Sequence, residues 1–291
     1  MCRMMALQHP DAAERRNALE SFRTQANAGR TGPPATHRVH PDGWGIAARE
    51  GGKWIHLGRS TRDASRDFNY PTAVARVADA DADAYLLAHV RNASVGGSDV
   101  RNNQPFVRNG WAFAHNGTLY GLAPPMGFEP EGQTDSERLF LHVLAGLART
   151  KSPEDAIKQV LPRIASGHPY SRLTFLLSDG PRLYAFRRVG PDQRDCKPRE
   201  VAFEHYSLHW ARLGAGVAIA QEPHVVARAT GWKEIPDGHL LILEPGRAAR
   251  IERVFPDSVR ALRPLPTAAQ VGSGPSSGRT TSQSPRASTR T

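Results

Sequence analysis

The residue with the clearest chemical potential is Cys2, because removal of Met1 would leave a thiol and a free α-amine on one residue. The initiator methionine is removed efficiently only before small residues, and cysteine qualifies. An α-amine titrates near neutral pH, so part of it is unprotonated in the cell and can accept the thiol proton. Such a residue contains a nucleophile and its base together. A small second residue is also common by chance, so Cys2 alone does not establish this chemistry.

Arg91 and Ser94 follow a predicted strand in the segment AHVRNASVG (88–96). An arginine at the end of a strand can bind a carboxylate through two parallel N–H bonds, and a serine hydroxyl can add a donor. The same arginine would equally suit a surface salt bridge. The segment therefore indicates a carboxylate site only in combination with other segments.

Two further segments could complete such a site. AHNGTLYG (114–121) contains Asn116-Gly117, which is typical of a hairpin turn but could also stabilise an oxyanion with its amide and backbone N–H groups. Asp135 begins a predicted helix, where it could cap the helix or bind an ammonium group. Together with Cys2, these groups fit an amino acid that has an acyl group at the end of its side chain, such as glutamine.

Cys2, HVRNAS, AHNG and TDSE, in that order, resemble the motifs of class II glutamine amidotransferases of the N-terminal nucleophile hydrolase superfamily. The segments HPDGWGIA (40–47), FLLSDGPRLYAFR, IAQEP and WKEIPDGHLLIL resemble the stand-alone branch of this family, so the resemblance covers roughly residues 2–245. Asn92 and Val95 replace an aromatic residue and a histidine of the multidomain synthases. This departure concerns closure of the arginine loop over the substrate.

The resemblance implies that Cys2 attacks the γ-amide of glutamine and forms a γ-glutamyl thioester, with its own α-amine as general base and acid. It also implies the residues around this nucleophile: an oxyanion hole of Asn116 and Gly117, and substrate contacts from Arg91, Ser94 and Asp135. His89, in the arginine strand, is expected to be structural. This chemistry needs no metal and no organic cofactor.

Several alternatives remain open at this point. No synthase pattern follows the amidotransferase motifs, so an ammonia acceptor, if the reaction has one, is expected on a separate synthase subunit. The site could instead hydrolyse another γ-glutamyl amide, as the similar γ-glutamyl-hercynylcysteine sulfoxide hydrolase does. A third alternative is a binding module without activity, although none of the four motif positions is substituted.

The elements between these motifs predict an α+β fold. Apolar segments typical of short strands occur at 84–91, 110–115, 172–178, 182–187, 216–220 and 239–244, and two helices are predicted in TDSERLFLHVLAGLAR and SPEDAIKQVLPRIAS. Pro162 is expected to kink or shorten the second helix. The order lacks βαβ alternation, which favours an α+β layered sandwich over a doubly wound fold. The resemblance implies a four-layer αββα sandwich.

Composition limits the remaining possibilities. The net charge is +10, but the arginines are scattered without a basic run, so nucleic-acid binding is not expected. Cys2 and Cys196 lack the spacing of metal ligands. No signal peptide or membrane span is evident, which predicts a cytoplasmic protein. Residues 2–263 are predicted to form the amidotransferase domain, and residues 264–291, rich in Ser, Thr, Pro and Arg, a disordered tail.

Overall fold

The computed structural model describes residues 2–28, 39–79, 85–191 and 207–255. Within these residues, thirteen strands and four α-helices follow one another along the chain. In order they are β1 (Arg3–Gln8), α1 (Ala12–Ala28), β2 (Trp44–Glu50), β3 (Lys53–Ser60), α2 (Asn69–Asp79), β4 (Tyr85–Val90), β5 (Phe106–Arg108), β6 (Trp111–Asn116), α3 (Asp135–Leu147), α4 (Pro153–Gly167), β7 (Thr174–Ser178), β8 (Leu183–Arg187), β9 (His209–Leu213), β10 (Gly216–Ala220), β11 (Thr230–Glu234), β12 (His239–Leu243) and β13 (Arg250–Arg253).

The strands form two antiparallel sheets. The first sheet has the order β11-β9-β10-β1-β4-β2-β3, and the second has the order β13-β12-β8-β7-β6-β5. Strand β1 lies in the middle of the first sheet, where Met5 pairs with Ala220 of β10 and Arg3 pairs with Val90 of β4. The start of β1 is therefore adjacent to the end of β4.

Alternating side chains of β1 divide the core into layers. Met4 and Ala6 pack in the core that also contains Ala114 of the second sheet, whereas Met5 and Leu7 pack in a core with residues of α1 and α2. This separation follows from the two-residue period of a strand. Helices α3 and α4 cover the outer face of the second sheet in a third core. The predicted α+β class and the four-layer αββα sandwich are confirmed.

The helices that were predicted have the expected local signals. Thr134 accepts a hydrogen bond from the Glu137 N–H at the start of α3, and Ser152 accepts one from the Asp155 N–H at the start of α4. Helix α4 continues past Pro162 to Gly167, so the expected shortening does not occur. The predicted strands are present with ends shifted by one or two residues.

The predicted tail, residues 264–291, and Cys196 lie outside the described residues. Of the helices that the structure does describe, none is both long and apolar enough to cross a membrane.

Candidate active site

Four sequence motifs meet where the two sheets face each other. Cys2 precedes β1 and Arg91 follows β4, so these residues are neighbours in the first sheet. Asn116 ends β6 in the second sheet, and Asp135 begins α3. Hydrogen bonds between these segments, described below, join the four motifs into one site.

Cys2 is held by contacts from both sheets. Its Sγ lies 3.6 Å from the carbonyl oxygen of Asn92, which is in the loop after β4. Its own carbonyl oxygen accepts hydrogen bonds from Asn116 Nδ2 at 2.8 Å and from Arg3 Nη1 at 2.9 Å. The backbone of the predicted nucleophile is thus fixed, while its side chain is only partly buried.

Of the two predicted oxyanion residues, Asn116 contacts Cys2 directly, and Gly117 follows it in the chain. Asn116 Nδ2 also lies 3.1 Å from Gln221 Oε1, so a substrate oxygen would have to replace one of these two acceptors. A Cβ atom on Gly117 would lie 2.3 Å from the Arg172 carbonyl oxygen and 2.7 Å from His115 Nε2. This close approach requires glycine, and the oxyanion role remains a prediction.

The loop after β4 is organised around Arg91, which is 3% exposed. Its guanidinium donates hydrogen bonds to the carbonyl oxygens of Val95 at 3.0 Å, Gly96 at 3.1 Å and Gly97 at 3.2 Å. Gly96 has a φ of +78°, which favours glycine. Three N–H groups of the predicted carboxylate-binding residue are therefore directed to its own loop in this structure.

The preceding glycine-rich turn supports the same loop. The Asp42 carboxylate accepts a hydrogen bond from the Ala93 N–H at 2.7 Å, and the Gly43 carbonyl accepts one from the Arg91 N–H at 2.8 Å. The turn in the segment HPDGWGIA therefore fixes the backbone on both sides of Asn92.

Ser94 and Asp135 are both connected to the chain that follows Gly117. Ser94 Oγ and Thr118 Oγ1 share a hydrogen bond of 2.9 Å. Asp135 Oδ2 accepts one from the Leu119 N–H at 2.6 Å. Burial raises the pKa of Asp135 to about 6, and its bonds to backbone N–H groups oppose this shift. Its carboxylate is therefore mostly ionised at pH 7, as an ammonium-binding role requires.

Two buried histidines near the site are neutral. Burial lowers the pKa of His89 to about 3 and that of His115 to about 4. His115 Nδ1 shares a hydrogen bond of 2.9 Å with Ser136 Oγ, which ties β6 to the start of α3. The predicted structural role of His89 fits its complete burial but stays a prediction.

Sequence reasoning missed three residues around the motif residues: Arg3, which contacts Cys2, Gln221, which contacts Asn116, and Glu222, which contacts Arg3. Arg3 and Glu222 form an ion pair of 2.9 Å whose side chains are fully buried, and Gln221 contacts Asn116. Two signals could have indicated them: Arg3 interrupts the apolar segment MCRMMAL, and Gln221-Glu222 directly follow the apolar segment GVAIA. Charged residues at such buried positions are rare unless they are paired.

No group of three or more His, Cys, Asp or Glu side chains able to hold a metal occurs among the residues that the structure describes. The groups that this arrangement does bring together are the thiol of Cys2, amide and backbone donors, a carboxylate and a guanidinium.

The sequence matches a known protein family over most of its length. The family model of the class-II glutamine amidotransferases matches residues 1–261. The chain is 32% identical over 169 residues to YafJ of Escherichia coli, which is assigned as a glutamine amidotransferase, covering 54% of this chain and 62% of YafJ. It is 30% identical over 204 residues to a Haemophilus influenzae protein with the same assignment, covering 64% of this chain and 62% of that protein. The chain thus spans less than two thirds of each relative.

Solved structures show the same fold. The glutamine phosphoribosylpyrophosphate amidotransferase of Bacillus subtilis is similar with a TM-score of 0.57 at 18% identity, over 88% of this chain and 49% of that chain. A glutamine aminotransferase class-II domain protein from Silicibacter pomeroyi is similar with a TM-score of 0.54 at 22% identity, over 88% of this chain and 100% of that chain. The predicted N-terminal nucleophile hydrolase type of sandwich is confirmed.

Proposed function

The chain belongs to the class II glutamine amidotransferases, and from this premise we propose that it hydrolyses the γ-amide of glutamine through a thioester on Cys2. The observation that carries the proposal is that the Asn116 side chain and the loop of Arg91 meet at Cys2. Asn116 and the loop of Arg91 both contact Cys2, although they come from different sheets. Asp135 accepts a hydrogen bond from the Leu119 N–H, in the segment that follows Asn116.

The proposed reaction begins after removal of Met1. The α-amine of Cys2 takes the thiol proton, and Sγ attacks the γ-carbonyl carbon, so that a C–S bond forms and the carbonyl oxygen becomes an oxyanion. The C–N bond then breaks, and the ammonium group of Cys2 returns the proton to the departing ammonia. Water attacks the thioester in the same way, which releases glutamate and restores the thiol.

The other motif residues would bind the substrate and stabilise charge. The Asn116 amide and the Gly117 N–H would donate to the oxyanion, and Asp135 would bind the α-ammonium group. Arg91 and Ser94 would bind the α-carboxylate, with Arg91 exchanging at least one of its loop carbonyls for the substrate. The reaction uses only groups of the protein, the substrate and water.

The leaving group and the acceptor of ammonia are part of the proposal. We propose glutamine as the substrate and a separate synthase subunit as a possible ammonia acceptor, in a cytoplasmic setting. Another γ-glutamyl amide, such as γ-glutamyl-hercynylcysteine sulfoxide, would place the same γ-glutamyl half on the same residues. A panel of γ-glutamyl amides separates these substrates.

The test compares the wild type with Cys2→Ala and with Cys196→Ala as the matched control. Intact mass first establishes that Met1 is absent, and glutamate release is then measured from glutamine and from the panel. We expect activity and labelling by a glutamine-mimicking diazoketone in the wild type and in Cys196→Ala, but not in Cys2→Ala. Met1-free protein that neither reacts with the diazoketone nor releases glutamate from any γ-glutamyl amide would contradict the proposal.

A further inference from the structure

We infer that Gln221 and Glu222, which directly follow β10, are positioning residues that orient the nucleophile through Asn116 and Arg3. The inference rests on the proposed function of Cys2 and extends it to residues outside the four motifs. Each acts on the backbone of Cys2 through a second side chain.

Two hydrogen-bond donors converge on the carbonyl oxygen of Cys2. Asn116 Nδ2 and Arg3 Nη1 lie 2.8 Å and 2.9 Å from the carbonyl oxygen of Cys2. One donor comes from the second sheet and the other from the strand that follows Cys2. Two hydrogen bonds to one carbonyl fix the orientation of the peptide plane between Cys2 and Arg3, and with it the position of the Cys2 Cα atom that carries the thiol side chain.

Two consecutive residues, Gln221 and Glu222, hold these two donors. Gln221 Oε1 lies 3.1 Å from Asn116 Nδ2, and Glu222 Oε1 lies 2.9 Å from Arg3 Nε. Successive side chains of an extended segment point to opposite faces. Gln221 therefore reaches the space between the sheets, and Glu222 reaches the face covered by α1 and α2. The two residues thus hold the donors to the Cys2 carbonyl from both faces of the first sheet.

The ion pair of Arg3 and Glu222 is completely buried. The side chains of Arg3 and Glu222 are both 0% exposed, so the ion pair is completely desolvated. A buried ion pair is on average no more stabilising than apolar side chains of similar size, because desolvation offsets the attraction. A gain in stability therefore does not explain why this ion pair is present. The N–H group that Arg3 donates to the Cys2 carbonyl does explain it.

A positioning role has a kinetic signature. A small displacement of a reacting atom can lower the rate about 100-fold without changing how the substrate binds. The residues proposed to bind the substrate, Arg91 and Asp135, lie on other segments. Loss of Gln221 or Glu222 should therefore lower kcat for glutamine and leave KM nearly unchanged.

The first experiment changes Gln221. Gln221→Met keeps the size of the side chain but removes the oxygen that Asn116 contacts, and Gln221→Glu keeps an oxygen there. We expect Gln221→Met to lower kcat at least about tenfold with KM within about threefold. Gln221→Glu should recover part of this loss, because the acceptor for Asn116 is restored.

The second experiment removes the ion pair without leaving a buried charge unpaired. A single Glu222 variant could fail to fold, since breaking a buried pair leaves the charge of the other partner uncompensated in the core. We therefore use Arg3→Met with Glu222→Met and compare it with Arg187→Met with Glu234→Met. That control removes a different ion pair, which joins β8 of the second sheet to β11 of the first and lies far along the chain from Cys2. Only the first double variant should lose kcat beyond the effect of its change in Tm.

A further readout separates this inference from the proposed function. The rate of Cys2 alkylation by iodoacetamide, measured against pH in a Cys196→Ala background with intact mass to check Met1 removal, reports on the thiol even if no amide is hydrolysed. We expect a changed rate and pH profile in Gln221→Met and in the Arg3/Glu222 double variant. Unchanged kcat and alkylation in both, or equal losses in the Arg187/Glu234 control, would overturn the inference.

Discussion

Asn116 Nδ2 lies 2.8 Å from the carbonyl oxygen of Cys2, although the two residues are 114 positions apart in the chain. Asn116 ends a strand of one sheet, and Cys2 precedes a strand of the other. The contact therefore exists only when the two sheets are stacked correctly. The contact between the predicted nucleophile and the predicted oxyanion donor is therefore a product of sheet packing.

Removal of the Asn116 amide tests the oxyanion prediction. We expect Asn116→Ala to lower kcat for glutamine about 100- to 1,000-fold, since one lost donor to a developing oxyanion has this effect in other acyl-transfer enzymes. KM should change much less. Steady-state kinetics measure both constants, and Asn17→Ala on the exposed face of α1 is the control. An Asn116→Ala protein with a normal Tm and a kcat within threefold of the wild type would exclude the role.

The ionisation of Asp135 should control substrate binding at acid pH. Burial raises the pKa of Asp135 to about 6, and only the ionised carboxylate can pair with an ammonium group. KM for glutamine should therefore rise about tenfold for each pH unit below pH 6 in the wild type. Asp135→Asn should raise KM at least about 30-fold and remove this pH dependence, because the charge is gone at every pH.

The carboxyl group of Asp135 should make the folded protein more stable at acid pH, where substrate binding becomes weaker. Its pKa is about 6 in the folded protein and 3.8 ordinarily, so the folded state binds the proton more tightly. This group contributes stability that is fully present below pH 3.8 and is lost as the pH rises through 6, a change of about 3 kcal/mol. Melting curves should therefore show that Asp135→Asn is stabilised relative to the wild type at pH 7 and that the difference shrinks towards pH 4. A constant difference across this range would show that Asp135 does not titrate as described.

Local signals account for the elements that the sequence predicted. Thr134 precedes a helix of regular apolar spacing, so both the start and the inner face of α3 could be predicted. Helix α1 was not predicted, because its buried positions, which include Ala18, Leu19 and Phe22, are embedded in a mostly polar segment. Its helical state is supported by packing on the first sheet, which no local pattern specifies.

The same distinction applies to the site. Resemblance to a family supplied Cys2, Asn116 and Asp135, because their motifs are short and ordered. The ion pair of Arg3 and Glu222 joins residues 219 positions apart, and nothing local indicates which acid Arg3 contacts. Likewise, the turn of Arg91 toward its own loop depends on where three carbonyl groups lie. These features follow from tertiary structure and could be found only there.

Substitution of Arg91 by lysine tests whether the fork of the guanidinium is needed. Arg91 bridges three consecutive carbonyls, whereas an ammonium group is a compact charge that cannot span them. We expect Arg91→Lys to raise KM about 10- to 100-fold and to increase hydrogen exchange of the backbone amides in residues 92–97. Arg23→Lys is the control, because Arg23 also donates to two loop carbonyls but lies on α1. Equal effects of the two variants on KM would contradict a specific role of Arg91.

Substitution of Gly117 by alanine should displace the segment that contains Asn116. The added Cβ would lie 2.3 Å from the Arg172 carbonyl, which belongs to the backbone and cannot move away easily. We expect Gly117→Ala to lower the free energy of unfolding by about 1–3 kcal/mol, the usual effect of overpacking. The loss of kcat should approach that of Asn116→Ala, because the displaced backbone moves Asn116 away from Cys2. Gly167→Ala is the matched control, since nothing lies within 4 Å of a Cβ there. Chemical denaturation and glutamine kinetics measure both effects, and a Gly117→Ala protein that is destabilised but fully active would show that the position of Asn116 does not depend on this glycine.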